Sequence, residues 1–328
     1  MSEFPTLIST IGHTPMVKLQ HMVKNPLVTL LVKLEFMNPS RSIKDRIVLH
    51  IIDEAEKSGL LKPGGTIIEN TSGNTGAAAA MIGAMRGYRV ILTMPDKVSI
   101  EKQNALKAYG AEIVILPTSA TIESPDHYVN RAKKLATEIP GSFRINQYDN
   151  PKNPEAHYLH TGPEIWEQSH GMIDYFIASG STGGTVSGAG KYLKEKNPLV
   201  KVIMPDPVGS IYYEYFKTGK IPSNGNCNYY LEGVGEDHLA LALDISFIDD
   251  VVQVSDLQAF KTARELARKE GILAGGSSGA SLWAALQIAE AAKDPITIVT
   301  ILPDDGIKYL SKFYNDEWMK KTFGDIES

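Results

Sequence analysis

An α/β fold, with mainly parallel sheet covered by helices on both faces, is the class this sequence predicts. Three observations carry that prediction. From residue 67 onward, short apolar runs alternate with helix-length stretches, the rhythm of successive βαβ units. Three turns rich in glycine, serine and threonine, Thr71–Gly76, Ser181–Thr185 and Gly275–Gly279, each follow a strand-like run and precede a helix-like one. A Pro- and Asn-rich stretch, Asn146–Pro154, marks the boundary between two α/β lobes.

In chain order, the loop containing Pro39 leads directly into an apolar helix at Ile47–Ile52. Apolar runs predict buried strands at Thr66–Glu69, Arg89–Met94, Glu112–Leu116, Tyr175–Ala178, Val200–Met204 and Ile296–Leu302. Helices are expected at Thr75–Arg86, Glu101–Tyr109, His127–Glu138 and Leu257–Glu270. Tyr215–Asn228, with its glycines, proline and asparagines, is expected to be a surface loop. No internal repeat or low-complexity tail interrupts the pattern.

A chain of 328 residues is long for one core and comfortable for two. Its 43% hydrophobic and 22% charged residues are those of an ordinary globular protein. A net charge of -5, without a dense Lys/Arg run, argues against a nucleic-acid partner. Cys227 is the only cysteine, which excludes a disulfide framework and a thiolate metal cluster. Met1–Pro5 lacks the basic and apolar regions of a signal peptide, and no apolar run approaches transmembrane length. A cytoplasmic setting without a membrane partner is therefore the expectation.

Turns at the ends of parallel strands are the usual ligand crevice of an open α/β sheet. Lys44, in Ser42-Ile43-Lys44-Asp45-Arg46, stands at a loop–helix junction rather than on a polar face. A lysine there is either a counter-ion or a Schiff-base former, and a buried amine has a lowered pKa and is nucleophilic. Ser181–Thr185 is either an ordinary helix start or a phosphate cradle of backbone N–H groups. Spacing excludes a nucleotide P-loop, since Tyr192 stands where a magnesium-binding hydroxyl belongs. Gly275–Gly279 fits G-x-S-x-G, but no histidine follows His238, so a serine-hydrolase triad of that order fails. His157 and His160 lie three apart without a suitably spaced third ligand, so they are read as structural and no metal is expected. Tyr212, Tyr213 and Tyr215 line a pocket or pack in the core; Cys227 is read as a bystander.

Taken together and in order, Ser42–Arg46, Thr71–Gly76, Ser181–Thr185 and Gly275–Gly279 resemble the fold-type II pyridoxal-phosphate enzymes, in the branch containing cysteine synthase and cystathionine β-synthase. The resemblance runs from Ile11-Gly12-His13-Thr14-Pro15 to the end. Gln147–Pro151, Asp206–Ser210, Glu232–Asp237 and Leu302–Asp304, continuing into Tyr309–Phe313, look more like the cystathionine-forming subgroup. The match is to the catalytic core alone, so neither haem control nor control through a C-terminal regulatory module is expected. Arg41 departs from a position that is often glycine, and Ser181 stands where the phosphate loop usually begins with glycine. Asp305 replaces a common serine. The first two bear on loop geometry and the third on substrate preference.

The resemblance implies a two-lobed, tryptophan synthase β-like fold, with a smaller lobe at 44–148 and a larger cofactor-binding lobe of 1–43 and 149–328. It implies pyridoxal phosphate on catalytic Lys44, its phosphate on Ser181, Thr182, Gly183, Gly184 and Thr185, its phenolic oxygen at Asn74 and its ring nitrogen at Ser277. A hydroxyl at the ring nitrogen does not stabilise a protonated ring, which suits elimination and replacement at Cβ. Thr71, Ser72, Thr75 and Gln147 would hold the substrate carboxylate, with Tyr148, Glu232 and Asp304 toward the accepting thiol. The implied reaction is L-serine plus L-homocysteine giving cystathionine, in transsulfuration and cysteine biosynthesis, by a homodimer. The alternatives are O-acetylserine plus sulfide giving cysteine, and a catalytically silent homologue serving as a binding partner.

Overall fold

The computed structural model describes residues 4–71, 73–121, 123–222 and 228–325. Its ten strands are β1 (Met16–Lys18), β2 (Val28–Leu34), β3 (Thr66–Asn70), β4 (Arg89–Pro95), β5 (Glu112–Leu116), β6 (Ser142–Arg144), β7 (Tyr175–Ile177), β8 (Lys201–Pro207), β9 (Asp250–Val254) and β10 (Ile296–Leu302). They form a four-stranded sheet, β5-β4-β3-β6, and a six-stranded sheet, β1-β2-β10-β7-β8-β9. Every neighbouring pair is parallel except β1–β2. The predicted α/β class, with mainly parallel sheets covered by helices, is the observed one.

Continuous apolar runs arise because both faces of each sheet are covered. In β10, Val299 and Ile301 pack with Val186, Ala189 and Leu193 of helix Gly184–Lys196. Ile298 and Leu302, on the opposite face, pack with Leu282, Ala285 and Ala289 of helix Gly276–Ala291. In the smaller sheet, Ile67, Leu92 and Met94 lie under helices Lys44–Lys57 and Asn74–Arg86, while Ile68 and Ile91 meet Ala132 and Leu135 of helix Tyr128–Glu138.

Two readings of the sequence need correction. Tyr215–Thr218 belong to helix Tyr212–Thr218, whose C-terminus closes on left-handed Gly219, rather than to a surface loop; the serine-to-cysteine stretch 223–227 lies outside the described residues. The central strand β2 has no counterpart among the expected strands. Lys33 breaks its apolar run, yet that lysine is fully buried. Its Nζ donates to Thr14 O and Glu164 Oε2, both at 2.7 Å, and to Gln168 Oε1 at 2.9 Å.

This lysine belongs to a buried ionic network that fixes the helix beginning at Lys44. Arg46 donates through Nε and Nη2 to both oxygens of Glu35 at 2.7 and 2.9 Å, and through Nη1 and Nη2 to both oxygens of Glu164 at 2.7 Å. Burial alone would raise the Glu164 pKa, but hydrogen bonding and charge from Arg46, then Lys33, bring it down from 4.5 to about 2. A depressed carboxylate contributes stability that is complete above its unfolded pKa and is lost as pH falls toward its folded one. Acid unfolding should therefore set in as pH drops below about 4.5 and progress toward 2, and Glu164→Gln should flatten that limb. Arg46→Met should lower stability by about 3 kcal/mol, because it strands two buried carboxylates. Urea denaturation across pH, followed by circular dichroism, checks both expectations.

Candidate active site

Three long helices each start on a glycine without a side-chain cap: Asn74–Arg86 on Gly73, Gly184–Lys196 on Gly183 and Gly276–Ala291 on Gly275. The first two follow strands β3 and β7. The third follows helix Asp256–Glu270, and the strand-like run expected before it is only a bridge from Ala274 to Asp305, just past β10. Other helices are capped conventionally, by Ser99, Ser255 and Asn315. The glycine-started helices keep backbone N–H groups open toward the crevice, an arrangement suited to anions.

Lys44 stands among them. Its cleft is lined by Ser179, Ser181, Thr182, Gly183, Thr185 and Gly233, with Ile43, Ala178, Ile301 and Pro303 supplying apolar wall. The loop carrying it is pinned to the end of β10: Ile43 N donates to Pro303 O at 2.9 Å, and Ser42 forms a bridge with Asp304. Asp45, the next residue, accepts from Ser40 N at 2.7 Å and from the Ser40 hydroxyl. Burial pushes the Lys44 amine below the ordinary lysine range, only partly offset by the charges of Asp304 and Glu236. No hydrogen bond to Lys44 Nζ is formed among the described residues.

The Ser181–Thr185 turn is shaped by contacts from distant segments. Gly183 is left-handed at φ 77°, and a Cβ there would fall 2.5 Å from Leu243. A Cβ on Gly184 would lie 2.0 Å from Asn153 Oδ1. Asn153 Nδ2 donates to Thr182 Oγ1 at 2.9 Å and to Gln147 O at 2.8 Å. His157, within a π-helical turn at His157–Thr161, has Nε2 3.1 Å from Thr185 Oγ1 and Nδ1 2.9 Å from Thr161 Oγ1. Burial, then the charges of Lys44 and Arg46, hold its pKa well below the usual histidine value, so the ring is neutral. Tyr212 is buried, and its hydroxyl donates to Ser181 O at 2.5 Å.

The remaining expected residues gather around this turn. Thr75 Oγ1 donates to Gln147 Oε1 at 2.7 Å, and Thr71 Oγ1 accepts from Gly73 N at 3.3 Å. Ser72 lies outside the described residues. Asn74 is clamped, with Nδ2 donating to Asp304 Oδ2 at 2.9 Å and Oδ1 accepting from Lys308 Nζ at 2.6 Å. Ser277 is buried in the first turn of its helix, and its carbonyl accepts from Ser179 Oγ at 3.3 Å. Tyr148 OH and Ser181 Oγ both donate to Glu236 Oε1, at 3.0 and 2.6 Å. Glu232 is set apart by its partners: Lys102 Nζ reaches Oε2 at 2.7 Å, and Lys312 reaches Oε1.

Asn153, His157 and Lys308 are site residues that the sequence reading missed. Each acts on a residue far away in the chain, and their local patterns carry no distinguishing spacing. A larger cavity of about 670 Å³, lined by Lys261, Arg264, Arg268 and Asp316 among others, shares no residue with the Lys44 cleft.

A half-buried amine with no hydrogen-bond partner among the described residues, facing a helix N-terminus with no side-chain cap, suits a carbonyl-bearing phosphate. Residues 7–304 match the sequence profile of the family described as "Pyridoxal-phosphate dependent enzyme", and the chain belongs to that family. It is 46% identical over 322 residues to cystathionine beta-synthase of Apis mellifera, covering 96% of this chain and 62% of that protein. The Saccharomyces cerevisiae cystathionine beta-synthase is 43% identical over 331 residues, with coverage of 96% and 64%. The chain thus spans about three fifths of the length of these curated relatives. Among solved structures it is similar to O-ureido-L-serine synthase, with a TM-score of 0.87 and 36% identity over 99% of this chain and 98% of that one.

The close approach at Gly184 gives a direct test of the cradle. Gly184→Ala should displace Asn153 and with it Thr182, lowering affinity for pyridoxal phosphate at least about tenfold in absorbance titrations. Circular dichroism of the variant checks that the fold is retained.

Proposed function

We propose that this chain catalyses a pyridoxal-phosphate-dependent β-replacement, condensing L-serine with L-homocysteine to give cystathionine and water. The observation that carries the reading is Lys44: a half-buried, desolvated amine with no hydrogen-bond partner among the described residues, sharing a cleft with the start of helix Gly184–Lys196. The bound cofactor supplies an electron sink that acidifies the α-proton of an attached amino acid and lets its β-substituent leave. The choice of substrates is supported by the similarity to cystathionine beta-synthases.

Lys44 would hold the cofactor, and its Nζ is the base that would take the α-proton of the donor amino acid. Burial favours its neutral form, so a base is ready without a neighbouring histidine to activate it. Ser181–Thr185 bind the phosphate through open backbone N–H groups, with Thr182 and Thr185 oriented by Asn153 and His157. Asn74, clamped by Asp304 and Lys308, would meet the phenolic oxygen, and the Ser277 hydroxyl would meet the ring nitrogen. Thr71, Ser72, Thr75 and Gln147 would hold the donor carboxylate. The serine hydroxyl would leave as water with the proton taken from Cα as Cβ–O breaks; the homocysteine sulfur would form Cβ–S, its proton passing to Cα through Lys44 Nζ. Tyr148 and Glu232 flank the accepting side.

Crossing serine or O-acetylserine with homocysteine or sulfide, using the cofactor-loaded protein, tests the assignment. Cystathionine from serine and homocysteine is the expected product. Cysteine from O-acetylserine and sulfide alone would make this a cysteine synthase, and no turnover in any combination would indicate a silent homologue. Ser277→Asp should slow turnover at least about tenfold, or roughly 1.4 kcal/mol on the barrier. Glu232→Ala should reduce condensation more than it reduces the spectral change produced by serine alone.

A further inference from the structure

Two of the sequence departures meet beside the Lys44 cleft, on the segments that run into Ile43 and out of Pro303. Arg41 Nη1 lies 3.0 Å from Asp305 Oδ2. Asp305 is itself fixed, since its Oδ1 accepts from Ile307 N at 2.7 Å and the residue bridges Ala274. Arg41 adopts φ 66°, the left-handed region that glycine enters freely and a side-chain-bearing residue enters at a cost of about 1 kcal/mol. Nothing in the loop requires that cost, because glycine would close the same turn, in which Arg41 N donates to Asn38 O at 2.8 Å. The guanidinium is what glycine would lack. It is held by a single N–O contact rather than a bidentate fork, and its side chain is 57% exposed, leaving an edge open to a second carboxylate.

Lys308 continues the positive surface inward. Its Nζ donates to Asn74 Oδ1 at 2.6 Å and lies 3.3 Å from Arg41 O, and it forms no ion pair among the described residues. An ammonium has three donors, so at least one points away from both partners. Lys102 and Lys312 stand on Glu232. The carboxylates whose charge reaches Lys308 have partners of their own: Asp304 is engaged by Asn74 and Tyr309, Asp305 by Arg41 and Asp45 by Ser40. The donors left over are those of the Lys308 ammonium and the free edge of Arg41, and they suit an anionic ligand.

We propose that Lys308 and Arg41 hold the carboxylate of the accepting nucleophile, so that this chain selects a carboxylate-bearing thiol over hydrosulfide. The assignment rests on the two-substrate condensation proposed above. The donor carboxylate has its own partners on the smaller sheet's side, Thr71, Thr75 and Gln147. Lys308 and Arg41 come from the segments after β10 and β2, and Lys308 reaches Asn74 from there. Hydrosulfide carries no carboxylate and gains nothing from a strained arginine and an unpaired lysine.

The experiment compares wild type, Arg41→Gly and Lys308→Met as cofactor-loaded protein, with thermal unfolding as a check of folding. Arg41→Gly relieves backbone strain, so its fold is secure. Calorimetric titration with 4-mercaptobutanoate, which has a carboxylate but no amine, reads the site without turnover; 4-mercaptobutanol is the uncharged control. Each variant should bind the carboxylate at least about tenfold more weakly, with little change for the alcohol. In Arg41→Gly, KM for homocysteine should rise by a similar factor, with kcat at saturation changed less than about threefold; Lys308→Met, which also releases Asn74, is read by the binding titration alone. Unchanged affinity for the carboxylate in both variants would overturn the proposal. So would a parallel loss for the alcohol, or no binding of 4-mercaptobutanoate by wild type. Charge-dependent binding in a protein that condenses no thiol would leave the carboxylate site standing and overturn the proposed reaction instead.

Discussion

The position of Lys44 depends on a buried arginine two residues away. Arg46 sits between Glu35, which follows β2, and Glu164, in helix Gly162–Gln168, while Lys33 closes the far side of Glu164. Four charges removed from water gain little net stability over an apolar core of the same shape, but each is costly to strand. The network therefore acts chiefly on geometry: the first turn of helix Lys44–Lys57 fits the larger sheet in one arrangement. Asp45 adds a second fastening through Ser40. Lys44, flanked by these satisfied charges, has no hydrogen-bonding partner of its own among the described residues. The reactivity proposed for it rests on that contrast, because its neighbours fix its position while none of the described residues forms the ion pair that would stabilise its charged form.

The glycine-started helices express the same economy in the backbone. A serine or asparagine cap would satisfy one of the first N–H groups and stabilise a helix by about 1 kcal/mol. Helices Ile100–Ala108, Asp256–Glu270 and Asp316–Phe323 carry such caps; those beginning at Asn74, Gly184 and Gly276 do not. Burial offsets the omission, since Val186, Ala189 and Leu193 of one helix and Leu282, Ala285 and Ala289 of another have essentially no exposed surface. Side-chain polarity is instead placed one shell out, where Asn153 and His157 orient the hydroxyls of Thr182 and Thr185.

Strands covered on both faces were legible in the sequence because double burial demands a largely apolar run, and β4 and β10 carry one. β2 was hidden by Lys33, whose burial depends on Glu164, 131 residues further along the chain. β6 is three residues long, and the short antiparallel β1 is only half covered, so neither imposes a strong pattern. The three turns were legible for a related reason: close approach and positive φ restrict residue choice to glycine and small hydroxyls, as at Gly183 and Gly184. Residues that orient those turns face no such restriction. Asn153 and His157 lie in an ordinary-looking helical segment, and only the assembled fold brings them to Thr182 and Thr185.

The departures from the family pattern have separate physical consequences. Ser181 is not in the left-handed region, so serine costs the loop nothing there, and its hydroxyl adds a donor to Glu236 alongside Tyr148. Burial raises the Glu236 pKa, and two neutral donors replace water without pairing it to a cation. Arg41 does incur backbone strain, and the strain is accompanied by a fixed acidic partner in Asp305. A substitution that costs nothing requires no functional explanation; one that costs about 1 kcal/mol and brings its own counter-ion does. By that measure Ser181 is an accommodated change within the cradle, whereas Arg41 and Asp305 form one unit whose significance lies in what the guanidinium presents to the cleft.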